Sequence, residues 1–158
     1  MHTFDPGTAV SGFDIYTRLG TAEGAEQSSA GWTLATTGTI TPLGENNASP
    51  VALANSISLA ADTLYGFALV YPVEFIYTNG AGCTGGAYSM TGNCFATNAD
   101  LTLLLGSARR PAFASGSVFT PRIFNGTIEY EVADAPLPGT LALLGLGLAG
   151  VRLARRPG

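Results

Sequence analysis

Apolar residues recur at every second position in the first part of this chain. Between Phe13 and Leu19, the apolar residues Phe13, Ile15 and Leu19 alternate with polar ones such as Asp14 and Arg18. Successive side chains of a β-strand point to opposite faces, so a period of two is typical of a strand with one buried face. The pattern therefore predicts a strand here, with Phe13, Ile15 and Leu19 on its buried face.

The same period, or a short apolar run, returns along most of the chain. Turn-forming residues separate these stretches at intervals of about ten residues. The further predicted strands cover 32–41, 51–60, 63–71, 73–78 and 100–105, and 118–132 is predicted to form one or two strands around a turn at Asn125-Gly126. Stretch 63–71 is apolar on both sides, which predicts a central strand. Trp32 lies on the apolar side of the strand predicted at 32–41, which predicts a core position. No helical period occurs before residue 135, so the predicted fold is all-β: an antiparallel β-sandwich, of which a jelly-roll is one form.

Charged residues are few and unevenly placed. They make up 11% of the chain and include no lysine, whereas a typical soluble domain has about 25%. Residues 1–134 carry four arginines and eleven acidic residues, a net charge of −7, while 135–158 carry three arginines and no acid. An acidic body repels nucleic acid phosphates, so no nucleic acid partner is expected. The predicted organisation is one β-sandwich ectodomain at 1–134 and a separate tail at 135–158.

The tail combines three features in a fixed order. They are a proline-rich turn of Pro136, Leu137, Pro138, Gly139 and Thr140; an apolar run with Leu141, Leu143, Leu144, Leu146, Leu148 and Val151; and a basic cluster of Arg152, Arg155 and Arg156. As a helix, the run 141–151 would measure roughly 16 Å, against about 30 Å for a bilayer's hydrocarbon core. This length predicts a short, transient transmembrane segment. The alternative is an apolar C-terminal helix that packs on the domain or pairs two chains.

The order of these features resembles the PEP-CTERM sorting signal of Gram-negative bacteria, which is recognised and cut by the membrane enzyme exosortase. Leu137 stands where the name-giving pattern has glutamate, so the tail looks like a Pro-Leu-Pro variant. The resemblance implies an exported protein that passes through the inner membrane, meets an exosortase-type processing enzyme and reaches the cell surface or extracellular matrix. Export needs an N-terminal leader, and Met1 to Gly7 has neither a basic nor an apolar region, so we expect the leader to lie upstream of this start.

Cys83 and Cys94 are the only cysteines in the sequence. In an oxidising compartment we expect them to form a disulfide worth about 3 kcal/mol; in a reducing one they would be free thiols. Together with a distant His2 they do not supply four zinc ligands. No metal or other cofactor is predicted, although Asp62 and Asp100 leave loop-bound calcium open.

Few residues suggest catalysis. His2 is the only histidine, so a nucleophile paired with a histidine base is not expected. Glu129 and Glu131 lie two residues apart in the sequence. This spacing is typical of a solvated strand edge, and the alternative is a glycosidase carboxylate pair. Tyr88 in a long glycine-rich loop is a candidate for stacking on sugar rings, and the pair Arg109–Arg110 for binding an anionic exopolysaccharide. The leading prediction is a non-enzymatic surface or matrix protein; the alternatives are a carbohydrate-binding module with the same tail and a glycoside hydrolase.

Overall fold

The computed structural model describes residues 1–3, 5–71 and 74–133, and all regular structure in this part of the chain is β. The predicted all-β, antiparallel class is confirmed, whereas the predicted C-terminal helix lies outside the described residues. The strands are β1 Val10–Leu19, β2 Thr33–Ile40, β3 Val51–Leu53, β4 Tyr65–Val70, β5 Thr78–Asn79, β6 Phe95–Thr97, β7 Thr102–Leu104, β8 Gly106–Ala108 and β9 Phe119–Ile123. All of them belong to one compact unit, Met1–Ile128.

Strands β1 to β4 form an antiparallel sheet in the order β3-β2-β1-β4. The pairing of β1 with β2 shifts register twice. At the second shift Ile15 pairs with Thr36 but Tyr16 pairs with Leu34, so Ala35 has no partner. A one-residue slip moves the following side chains to the other face of a strand. Leu34 is consequently 48% exposed, although Thr36 and Ile40, which lie two and six residues further along the same strand, are buried.

The core lies on one face of this sheet, at the end near Val10 and Ile40. Phe13, Ile15, Ile40 and Phe75 are the buried members of the cluster, with Phe13 only 2% exposed. The Phe13 ring packs against Tyr71 and Phe75 at centroid distances of 6.2 and 6.0 Å. The predicted core positions of Phe13 and Ile15 are therefore confirmed, while Leu19, at the far end of β1, is 71% exposed.

Residues 74–128 form shorter strands. The sheet β5-β9-β8 and the hairpin β6-β7 are both antiparallel. The hairpin turns at Asn98, whose side-chain Oδ1 accepts hydrogen bonds from the backbone N–H groups of Asp100 and Leu101. An asparagine that binds the backbone two residues on stabilises a turn locally.

Several strand predictions were wrong, and of the described residues 74–78 only Thr78 lies in a strand. Stretch 63–71 contains β4, which is an edge strand and not a central one. The strand predicted at 51–60 ends at Leu53. Close to the unpaired Ala35 the backbone pairing stops, and the N–H of Asn55 donates instead to the side-chain hydroxyl of Thr36. In the stretch 118–132, strand β9 ends at Ile123. Its partner β5 has only two residues, and the pairing stops where β5 begins, at Thr78. The boundary at residue 134 and the sandwich arrangement of the sheets stay predictions.

Candidate functional site

A disulfide closes the long glycine-rich loop. Cys83 and Cys94 are bonded with a Cα–Cα distance of 4.6 Å, which confirms the predicted pair. Cys94 is fully buried, and its carbonyl accepts a hydrogen bond of 2.8 Å from the N–H of Leu105. Gly92 turns the loop with a φ of 57°, and a Cβ there would lie 2.7 Å from the hydroxyl of Thr84. The bridge thus ties the loop to the strands that follow it.

Tyr88 fixes the middle of this loop to two distant parts of the chain. Its hydroxyl donates to Glu26 Oε1 at 3.1 Å and accepts from the hydroxyl of Ser107 at 2.8 Å, while its backbone N–H donates to Leu105 at 2.8 Å. Burial, with the nearby Glu26 charge as a further cause, raises the pKa of Tyr88 to about 12. A half-buried ring with its hydroxyl already bonded is poorly placed to stack on a sugar. The residue therefore has a structural role and holds the loop in place.

Trp32 belongs to an aromatic cluster at the other end of the sheet from the core. The cluster consists of Tyr16, Trp32 and Phe113, with the Phe113 ring 5.2 Å from Tyr16 and 5.7 Å from Trp32. Trp32 Nε1 donates to the carbonyl of Ala25, and the Arg18 guanidinium lies 5.6 Å from the ring centroid. The predicted core position of Trp32 was wrong, because the ring lies beyond the start of β2 and is only partly buried.

A strip of polar side chains lines a shallow depression over β1 and β2. Ser11 pairs across the strands with Thr39, and Asp14 pairs with Thr37. These four residues form the hydroxyl strip, which lies on the sheet face opposite Phe13 and Ile15. None of the four side chains makes a hydrogen bond to another described residue. Ser11 and Thr37 are exposed, and Asp14 and Thr39 are half-buried. Sequence reasoning missed this strip because polar residues on one side of a strand are also typical of an ordinary solvent-exposed face.

The two adjacent arginines do not converge on one site. Arg110 forms an ion pair with Glu74, and both side chains are largely exposed. Arg109 instead donates from Nε to the carbonyl of Pro111 at 3.3 Å, and its two terminal nitrogens are buried without a partner among the described residues. The arrangement therefore gives no geometric support to a paired arginine clamp.

The carboxylates give no evident reaction centre in the described ranges. Glu129 and Glu131 are exposed and lie outside every strand. Within residues 1–3, 5–71 and 74–133, no group of three or more His, Cys, Asp or Glu side chains is arranged to hold a metal ion. In the same ranges no helix has the length and apolarity needed to cross a bilayer.

The predicted sorting residues all lie outside the described residues, so their evidence comes from sequence comparison. Residues 134–156 match the family described as the PEP-CTERM protein-sorting motif. The tail is a PEP-CTERM sorting motif. The match begins at Asp134, one residue before the predicted boundary, and includes the proline-rich turn, the apolar run and the basic cluster. Neither the curated proteins nor the solved structures gave a match to this chain.

The PEP-CTERM motif implies export, passage through a membrane and processing by an exosortase. The motif accounts for about a sixth of the chain. It bears on export and processing, and not on the activity of the β-domain.

Proposed function

We propose that this chain is an exported, non-enzymatic protein of the cell surface or extracellular matrix, delivered by its PEP-CTERM tail. The match of residues 134–156 to the sorting motif carries this proposal. The exosortase is the partner that the motif implies, and the inner membrane is a transient location. Once processed, the β-domain is the part that stays outside the cell.

The chemistry of the β-domain supports an extracellular destination. The Cys83–Cys94 disulfide is of the kind that persists in an oxidising compartment. Residues 1–134 are acidic and the tail is basic. Positive charge next to an apolar segment favours the cytoplasmic side of a membrane, so this asymmetry would hold the basic end inside while the body lies outside.

The non-enzymatic role is supported by the side chains that the fold brings together. His2 is the only histidine in the sequence, and Glu129 and Glu131 lie outside every strand. The surface instead carries uncharged hydroxyl groups, such as those of Ser11, Thr37 and Thr39 on the hydroxyl strip. Such a surface is suited to adhesion or to a structural role in a matrix.

Analysis of the C-terminus of the protein from its native host tests the proposal. We expect intact-mass spectrometry of the extracellular fraction to find chains that end before Leu141, because processing removes the apolar run. Replacing Arg152, Arg155 and Arg156 by glutamine should retain the full-length chain in the cell fraction. A matched control replaces Arg109 and Arg110, which lie in the β-domain, and should leave export unchanged. Cytosolic chains that end at Gly158 and carry two free thiols would contradict the proposal.

The second candidate function is a carbohydrate-binding module with the same tail, and the hydroxyl strip favours it. Four polar side chains that have no hydrogen-bond partner among the described residues lie on one open face, where they can exchange hydrogen bonds with a polyhydroxylated ligand such as an exopolysaccharide. A glycan array with the exported chain, alongside an Asp14→Asn and Thr37→Ala double variant, tests this function. Binding of a glycan by the wild type and not by the variant would favour it over a purely structural role.

A further inference from the structure

Strand β4 leaves one edge of the four-stranded sheet open. It pairs with β1 on one side and has no neighbour on the other among the described residues. The N–H of Gly20 donates to the carbonyl of Leu64 at 2.9 Å, in the same register as the β1–β4 ladder. Hydrogen-bonded pairs alternate along an antiparallel ladder, so Gly66 and Ala68 bond to β1. The backbone N–H and C=O groups of Tyr65, Phe67 and Leu69 therefore point away from the sheet.

The two edges of this sheet differ in how they resist pairing. β3, at the opposite edge, has three residues and directly follows Pro50. β4 has six residues, YGFALV, with no charge, no proline and no shift in its register with β1. Short length, proline, charge and bulges are the features by which proteins discourage edge-to-edge pairing. β3 has two of these features, and β4 has none.

We propose that β4 is an interaction surface for a second copy of this chain, which adds its own β4 antiparallel across the open edge. The register that uses the whole strand places Phe67 opposite Phe67 of the second copy and Tyr65 opposite Leu69. All three side chains lie on the face that carries Phe13 and Ile15, since Leu69, Phe67 and Tyr65 pair with Ile15, Thr17 and Leu19 of β1. The result is a two-fold symmetric sheet of eight strands.

The side chains around β4 fit a copy of themselves. Phe67 is 41% exposed, and Leu19, which pairs with Tyr65 on the same face, is also an exposed apolar residue. Aromatic pairs directly opposite each other are among the favourable cross-strand contacts. The nearest acidic residues along the chain are Asp62 and Glu74, so residues 63–73 are uncharged. In the proposed register Asp62 would fall opposite residue 72, and no two acids would face each other.

The charge of the whole body adds a distinctive expectation. Residues 1–134 carry a net charge of −7, so two bodies repel each other at a distance. Salt screens this repulsion, with a Debye length of about 10 Å at 0.1 M and about 3 Å at 1 M. An uncharged strand interface between acidic bodies should therefore tighten as salt is added. The pairing depends on the residues of β4 and does not depend on how the chain is delivered.

Sedimentation of the full chain in a mild detergent, which covers the apolar tail, tests the proposal. We expect a reversible dimer that tightens with salt. Phe67→Lys should raise the dissociation constant by ~10-fold or more, because it places two like charges opposite each other. Leu53→Lys, at the exposed end of β3, is the matched control and should leave the dimer unchanged. Circular dichroism of both variants checks that the sheet is kept.

Cross-linking gives a second measurement that does not depend on a destabilising change. Phe67→Cys should form a disulfide between two chains under mild oxidation, because opposed residues of antiparallel strands lie at about 4.5–5.5 Å between Cα atoms. Ala52→Cys, on the opposite edge, should not. A wild-type chain that stays monomeric with no Phe67→Cys cross-link overturns the proposal. A dimer that survives Phe67→Lys and gives no cross-link at this position overturns it equally.

Discussion

The four-stranded sheet and the segment that follows it are stabilised in different ways. In the sheet, β1 and β2 have ten and eight residues, and three of the four buried core residues, Phe13, Ile15 and Ile40, belong to these two strands. In residues 74–128 the strands have two to five residues, and Phe75, Cys94 and Leu105 are the buried apolar side chains. The sheet thus relies on a long ladder and an apolar core.

The second segment relies on cross-links. The disulfide closes its longest loop, and Tyr88 joins that loop to Glu26 and Ser107. Strands this short form few ladder hydrogen bonds, so constraints that reduce the freedom of the unfolded loop have more weight. We infer that the two regions differ in local stability and that each can be weakened separately.

The largest expected effect is on the core of the sheet. Phe13→Ala should lower the free energy of unfolding by about 3–5 kcal/mol, because it removes a buried ring that contacts Tyr71 and Phe75. Leu19→Ala in the same strand is the matched control and should change this free energy by within about 0.5 kcal/mol, since Leu19 is largely exposed. Urea denaturation followed by circular dichroism measures both values. Equal effects would place the core elsewhere.

The next effect is on the disulfide. Cys83→Ser leaves the buried Cys94 in place but removes the bridge, and should lower the free energy of unfolding by about 3 kcal/mol for a loop of this size. Hydrogen exchange should show faster exchange in residues 80–108, while β1 and β2 keep their protection. Met90→Ser, an exposed change inside the same loop, is the control. Loss of protection in both regions together would show that they unfold as one cooperative unit.

The sequence was informative where a pattern is local. Alternation predicted the faces of β1, so that Phe13 and Ile15 were placed correctly. The tail was recognisable because turn, apolar run and arginines follow each other directly. The disulfide followed from two cysteines and an expected oxidising compartment.

The wrong predictions concern features set by distant residues. The unpaired Ala35 places Leu34 on the other face of the sheet, and no residue type in β2 predicts this shift in register. Apolar residues on both sides of β4 predicted a central strand, but the neighbours of a strand are fixed by the order of strands in the sheet. The exposure of Phe67 follows from that order. The partners of Tyr88 include Glu26, 62 residues away, and such a contact has no local signature.

The smallest expected effect concerns Tyr88 and alkaline pH. Tyr88→Phe should lower the free energy of unfolding near pH 7 by about 1–2 kcal/mol, because it removes the hydrogen bonds to Glu26 and Ser107. Tyr16→Phe is the control, since the Tyr16 hydroxyl has no hydrogen-bond partner among the described residues. Urea denaturation measures both variants.

The pH dependence then tests why the loop is stable. The pKa of Tyr88 is raised from 10 to about 12, mainly by burial. A raised pKa in the folded state means that the contribution is fully present below pH 10 and is lost as pH rises towards 12, because the unfolded chain releases the proton first. Tyr71, whose pKa burial also raises to about 12, adds to the same loss. Tyr88→Phe should therefore reduce, without abolishing, the fall in stability between pH 10 and 12. If the free energy of unfolding falls as steeply in the variant as in the wild type, Tyr88 is hydrated in the folded protein and does not hold the loop in place.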